Sequence, residues 1–118
     1  MNAPLALSAV ILEQLAAIVG EQRVKTDAES LQVWGKDWTK HFEPNPSVIV
    51  FPATTEEVQA IVKIANQHNL AITPSGGRTG LSAGAVATKG EIVISLDRMN
   101  KVVAFYPADR MVKIQAGM

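Results

Sequence analysis

Pro74-Ser75-Gly76-Gly77-Arg78-Thr79-Gly80-Leu81-Ser82-Ala83-Gly84-Ala85 is the stretch around which the rest of the chain reads. Four of the eight glycines fall within it, and Arg78 is its one charge. It follows a short apolar run, Leu70-Ala71-Ile72-Thr73. Glycine reaches positive φ cheaply and has no Cβ to keep a ligand at a distance. Successive free N–H groups in such a loop form an anion-binding concavity, for which phosphate is the usual guest. The plainer alternative is a tight connection in which the glycines serve only the turn. Neither G-x-G-x-x-G nor G-x-x-x-x-G-K-[ST] is present, so a nucleotide here is not held in the Rossmann or P-loop manner.

Outward from the loop, the flanking segments read as alternating strands and helices. Ser47-Val48-Ile49-Val50-Phe51, closed by Pro52, is a continuous apolar run of the kind buried on both faces of a parallel sheet. Thr54 and Glu57 have capping-box spacing and open a helix, with Val58, Ile61, Val62 and Ala65 on one face. Asn69 suits the left-handed end of that helix. Ala71-Ile72-Thr73 is a second strand, so residues 47–73 read as a β-α-β unit with parallel strands. After the loop, Thr88-Lys89-Gly90 turns into a third strand, Glu91 to Leu96, and Asp97-Arg98-Met99-Asn100 makes a short connection, read as one helical turn. Lys101–Tyr106 and Met111–Gln115 read as two strands joined at Pro107-Ala108-Asp109-Arg110. Upstream, Ser8 caps a helix from about Leu7 to Val19 that stops at Gly20, with Val10, Ile11, Leu15, Ile18 and Val19 recurring at helical spacing. Asp27 caps a short second helix through Glu29, Leu31 and Val33; residues 1–4 are expected to be loose. The fold class is therefore α+β: a small parallel β-α-β sheet with flanking helices, followed by the opening strands of a second subdomain.

Composition narrows the function. At 118 residues and 47% hydrophobic, the chain can build one core. Eleven basic and eleven acidic residues cancel, which gives no electrostatic reason for nucleic acid or an anionic membrane as partner. The absence of cysteine excludes disulfides and thiolate metal sites. The N-terminal apolar run lacks a basic start and is broken by Glu13 and Gln14, unlike a signal peptide. No Ser/His/Asp set, carboxylate pair or metal-spaced cluster stands out. His68 reads as a surface residue at a helix C-terminus, and His41 as a possible ligand contact. Asp37 and Asp97 read as caps or turn formers. Trp34 and Trp38 read mainly as packing residues, with cavity lining as the alternative. Arg78 is read as either a phosphate partner or a solvent-facing side chain.

The order strand–helix–strand–Pro-Ser-Gly-Gly-Arg-Thr-Gly-Leu-Ser–strand–Leu-Asp-Arg-Met-Asn resembles the FAD-linked oxidases with a p-cresol methylhydroxylase/vanillyl-alcohol oxidase-type FAD-binding domain. Asp37-Trp38-Thr39, Val50-Phe51-Pro52 with Thr55-Glu56-Glu57-Val58, Leu96-Asp97-Arg98-Met99-Asn100 and Gln115-Ala116-Gly117 carry the resemblance further. The D-2-hydroxyacid dehydrogenases (glycolate oxidase flavin subunit, D-lactate and D-2-hydroxyglutarate dehydrogenases) are most similar. The resemblance implies a helical segment at 1–33 and part of an FAD-binding domain at 34–118. It also implies that the chain is an N-terminal piece, with the catalytic base and any metal ligands beyond Met118. The implied cofactor is FAD, its pyrophosphate wrapped by Gly76, Gly77, Arg78, Thr79 and Gly80, with Ser82 adding a hydroxyl, Pro74, Ser75 and Leu81 completing the loop, Pro52 near the adenine, and Met99 and Asn100 towards the cofactor. Some relatives carry a flavin-linked His directly after the Gly-Gly pair; Arg78 there implies non-covalent FAD. Close relatives usually have glycine at Ala83, so a positive φ there would cost about 1 kcal/mol.

The activity implied is oxidation of a small D-2-hydroxy acid, with electrons passed to a separate acceptor, in the cytoplasm or at the periphery of the inner membrane. Two alternatives stand beside it. One is a non-catalytic module that binds no cofactor and either folds alone or pairs as a homodimer through exposed edge strands. The other is an FAD oxidase of a sugar lactone, a phenol or an alkyl-ether lipid precursor.

Overall fold

The computed structural model describes residues 7–118; the expected loose start at residues 1–4 lies outside them. Helix α1 (Ala9–Val19) begins where Ser8 Oγ accepts the Ile11 N–H at 3.3 Å, and ends at Gly20, whose φ is 95°. Its buried stripe is Ile11, Leu15 and Val19, spaced by four; Val10 faces solvent, so the stripe is narrower than its apolar composition. Helix α2 (Ala28–Trp34) is capped by Asp27, whose carboxylate accepts the Ser30 N–H at 2.9 Å. That backbone hydrogen bond holds the Asp27 carboxyl below its ordinary range.

The β-α-β unit forms as β2 (Val48–Val50), α3 (Thr55–Gln67) and β3 (Ile72–Ser75). The Thr54 side chain accepts the Glu57 N–H at 3.1 Å. The return bond of the capping box is shifted by one residue, because the Glu57 carboxylate takes the Ala53 N–H at 2.6 Å. Ile61 and Ala65 are buried on α3, whereas Val62 is exposed. Asn69 ends the segment at φ 53°.

The two strands of this unit are not neighbours. Strand β4 (Ile92–Ser95) lies between them, parallel to both, with Val48 and Ile72 each opposite Ile92. A further strand that the sequence analysis lacks, β1 (Val24–Lys25), pairs antiparallel with β2, giving the order β1-β2-β4-β3. Two residues are too few to show a period. All four residues of β4 and all three of β2 are buried. Pro74 is tolerated because β3 is an edge strand, where a missing N–H breaks no outer ladder.

The main core joins Ile11, Leu15 and Val19 of α1, Ile61 and Ala65 of α3, and Val48, Val50, Ile92 and Ile94 of the sheet. Ile49, Phe51, Ala87 and Val93 form a second cluster on the other face, with Leu31 and Trp34 of α2 against it. The helices therefore cover both faces of the sheet.

The segment after β4 is a hydrogen-bonded turn, Leu96 to Met99 (2.8 Å), in place of the expected helical turn. It leads to an antiparallel hairpin, β5 (Val102–Tyr106) and β6 (Met111–Ile114), which forms a separate two-stranded sheet. This is the second-subdomain start that was expected. Val102, Val103, Phe105, Tyr106, Met111, Val112 and Ile114 are all exposed on it. Two glycines away from the loop are fixed by space. A Cβ on Gly35 would overlap the Leu31 carbonyl oxygen and come within 2.8 Å of Pro46 Cγ, and one on Gly117 would overlap the Leu96 carbonyl.

Leu15 is fully buried between α3 and the sheet. Leu15→Ala is expected to cost about 2–5 kcal/mol. Urea unfolding followed by both circular dichroism and Trp fluorescence checks this, and the two probes should report one shared transition.

Candidate functional site

The parallel strands β2, β4 and β3 end at one edge of the sheet, and their continuations converge there. These are Phe51-Pro52, Leu96-Asp97-Arg98-Met99-Asn100 and the loop that begins at Gly76. Ligands of open α/β sheets bind outside the carboxyl ends of the strands. The topology thus brings together the segments that the sequence analysis had singled out separately.

The loop is shaped differently from the reading of its glycines. Gly76, Gly77, Gly80 and Gly84 do not adopt positive φ; Arg78 (59°) and Ala83 (62°) do. A Cβ on Gly76, Gly77 or Gly84 would meet nothing of the chain within 4 Å, and one on Gly80 would make only ordinary contact with Asp37 Oδ2. Internal sterics therefore require glycine at none of these four positions. What the missing side chains leave is open approach to the backbone from outside. Among the described residues, no acceptor pairs with the backbone N–H groups from Gly76 to Ser82. Gly77, Thr79, Gly80, Leu81 and Ser82 are exposed and Gly76 is half-buried, so these donors lie at an accessible surface.

The Arg78 side chain does not extend into solvent. Its guanidinium turns back into the protein, where Nη1 donates to Gly76 O at 2.9 Å and to Asp97 Oδ1 at 3.1 Å. Asp97 Oδ2 accepts the Trp34 indole N–H at 2.8 Å, and the guanidinium carbon lies 5.9 Å from the Trp34 ring centroid. Trp34 in turn packs edge-to-face on Phe51, with centroids 5.2 Å apart. Burial pushes the Asp97 carboxyl up, but the hydrogen bonds from Trp34 and Arg78, the Arg78 charge and Ser95 Oγ outweigh it and hold the carboxyl below its ordinary value.

The remaining candidates fall into two groups. Pro74, Ser75, Thr79, Leu81 and Ser82 belong to the loop or its root. Ser75 is fully buried, and its Oγ has no partner among the described residues. Pro52 is fully buried and Met99 nearly so, whereas Asn100 is exposed beyond the turn. Packing describes Trp34 but not Trp38, which is 66% exposed. The Trp38 N–H donates to Gly80 O at 3.0 Å, so its main chain is tied to the loop. Asp37 forms a turn, accepting the Thr39 N–H at 2.8 Å. His41 and His68 are exposed, His68 at the C-terminal cap of α3. No cluster able to hold a metal ion occurs among the described residues. The pairing of Asp97 with Arg78 and Trp34 was beyond sequence reasoning, because it links residues 19 and 63 positions apart.

Residues 46–118 match the FAD binding domain family. This chain belongs to that family. Its loop fits the assignment, since it presents unpaired N–H donors and no side chain at the glycines. The chain is 54% identical over 108 residues to a D-2-hydroxyglutarate dehydrogenase of Stutzerimonas stutzeri (strain A1501), covering 92% of this chain and 23% of that protein. It is 52% identical over 96 residues to a D-2-hydroxyglutarate dehydrogenase of Xanthomonas citri pv. viticola, covering 81% and 20%. The chain therefore spans under a quarter of the length of these relatives. Among solved structures, p-cresol methylhydroxylase with substrate bound superposes with a TM-score of 0.80 at 24% identity, over 97% of this chain and 24% of the other. Alkyldihydroxyacetonephosphate synthase superposes at 0.84 with 22% identity, over 100% and 24%. These two likenesses show the fold, which is the p-cresol methylhydroxylase-type FAD-binding architecture. No helix among the described residues is long and apolar enough to cross a membrane.

Two outcomes test the site's geometry. Ala83→Gly removes a left-handed alanine and is expected to stabilise the chain by about 0.5–1 kcal/mol, net of the extra freedom glycine gains when unfolded, as read from the urea midpoint. The Asp97 carboxyl is more acidic folded than at its ordinary value of 3.8. Its contribution to stability is thus complete above that pH and is lost as pH falls through the lower folded value. The stability gap between wild type and Asp97→Asn should be constant from pH 5 to 7 and should narrow below about pH 4.

Proposed function

We propose that residues 34–118 form part of a non-covalent FAD site, with the loop from Gly76 to Ser82 holding the pyrophosphate, in an oxidoreductase that acts on a small D-2-hydroxy acid. The observation that carries this reading is the run of unpaired N–H groups at Gly76, Gly77, Arg78, Thr79, Gly80, Leu81 and Ser82, beside glycines whose missing Cβ atoms leave open space. A pyrophosphate is met there by dipoles fixed in the backbone. Arg78 contributes its N–H, because its guanidinium is engaged by Gly76 and Asp97. No His follows the Gly-Gly pair to tether a flavin, which supports non-covalent binding.

The substrate class rests on the relatives. Two are named D-2-hydroxyglutarate dehydrogenase and a third, from Anaerostipes hadrus, D-lactate dehydrogenase, at 47% identity over 73 residues. Bound FAD supplies the two-electron chemistry of alcohol oxidation, and a separate acceptor receives the electrons. The residues of this chain bind and orient; none of them is assigned as the base that takes the substrate's hydroxyl proton.

Titration with FAD by flavin fluorescence and calorimetry, with ADP in parallel, tests the reading. Both ligands should bind the wild-type chain. Gly76→Val and Gly77→Val should weaken both by at least about tenfold, since a side chain there obstructs the donors that hold the charged group. Failure of a folded wild-type chain to bind either ligand, or unchanged affinity in both variants, contradicts the proposal.

A further inference from the structure

Beyond the residues that face the cofactor, we infer that Asp97, seated on Trp34, is a positioning residue that sets the shape of the glycine loop by holding Arg78. The inference rests on the proposed use of the loop as a pyrophosphate cradle. Arg78 sits at φ 59°, a left-handed conformation that is unfavourable for a side-chain-bearing residue. Such a conformation persists only where its surroundings enforce it. Here the side-chain contacts of Arg78 lie on its guanidinium, beside a main-chain bond from Trp38 N–H to Gly80 O at 3.0 Å further along the loop. The guanidinium bonds the carbonyl of Gly76, two residues back in the same loop, which bends the loop around its own side chain. It also bonds Asp97, in the turn after β4, which joins the loop to the central strand.

Asp97 is itself doubly fixed. One carboxylate oxygen is occupied by Arg78 and the other by the Trp34 indole, and Trp34 is anchored on Phe51 at the end of β2. The chain of contacts thus runs from the loop through Arg78, Asp97 and Trp34 to the ends of β4 and β2, the most buried strands of the sheet. The ion pair is part-exposed (24% and 36% for the two side chains), and such pairs add little to global stability. Its geometric consequence is larger. Without it, the Gly76–Arg78 end of the loop loses its tie to β4 and keeps only the Trp38 N–H bond to Gly80 O, and a ligand must order the loop as it binds, which lowers apparent affinity.

The test separates loop order from folding and from ligand binding. Backbone 15N relaxation on the wild-type chain should give order parameters near about 0.85 for β4 and close to that for Gly76, Gly77 and Gly80. In Asp97→Asn, the loop values should fall below about 0.6 while those of β4 stay unchanged. Trp34→Phe keeps the ring packing and removes one hydrogen bond; it should lower the loop values by a smaller amount, and it serves if Asp97→Asn fails to fold. Arg78→Leu combined with Asp97→Asn should be no more mobile than either single variant. With FAD as probe, the dissociation constant should rise about tenfold in Asp97→Asn, the order of effect of a lost charged hydrogen bond. Loop order parameters that remain at wild-type values in both Asp97→Asn and Trp34→Phe overturn the inference, whatever FAD does. An ordered wild-type loop that Asp97→Asn disorders, but that binds no FAD, overturns the proposed function and leaves the positioning role standing.

Discussion

Strand β4 is buried on both faces and flanked on both edges, and the rest of the molecule follows from that. Its backbone amides and carbonyls have no access to water, so each must be met by a neighbouring strand. β2 and β3 meet them, in parallel and in matched register. Because Val48 and Ile72 both pair with Ile92, the three strands start level and finish within one residue of one another, and the segments that leave them crowd one edge. The helices then have fixed places: α1 and α3 seal one face, while α2 covers the other with Leu31 and Trp34. The site is a by-product of this levelling, since the glycine loop, the Leu96–Met99 turn and the end of β2 have nowhere else to meet.

Much of this was legible in the sequence wherever the deciding force is local. Ser8, Asp27, Thr54 and Asn69 mark helix ends, because the bonds they make reach only a few residues along the chain. The run Val48-Ile49-Val50 announces burial on both faces, and all three residues are buried. The order of the strands was not legible. Residues 47–73 read as neighbouring strands around a helix, and nothing in that segment records that a third strand will enter between them. Strand β1 was missed because its evidence lies in its partner's open edge and not in its own two residues.

The loop shows the same division more sharply. Its glycines were legible as a place for close approach, but the reason first attached to them, positive φ, belongs to Arg78 and Ala83. Conversely, the glycines that the fold itself demands, Gly35 and Gly117, carry no local mark. Gly35 is pressed by Pro46 and the Leu31 carbonyl, and Gly117 by the Leu96 carbonyl. Arg78 invited a choice between ligand and solvent, because its partners stand far away in sequence. Only the assembled sheet edge brings Asp97 and Trp34 to it.

The inward turn of Arg78 has a consequence for how any anion finds the loop. The one cation of the stretch is matched by a carboxylate 3.1 Å away, so the pair presents almost no net charge to the surroundings. The chain as a whole is also neutral. The donors that remain are backbone dipoles, whose field fades much faster with distance than that of a point charge. The loop itself therefore exerts little pull on an anion beyond a Debye length, about 8 Å at physiological ionic strength; a cation that does stand at this edge of the sheet is Arg98, whose guanidinium donates to the Phe51 carbonyl at 2.9 Å. Within the loop, discrimination falls to the last few ångströms, where direction and fit of the N–H groups decide which guests stay.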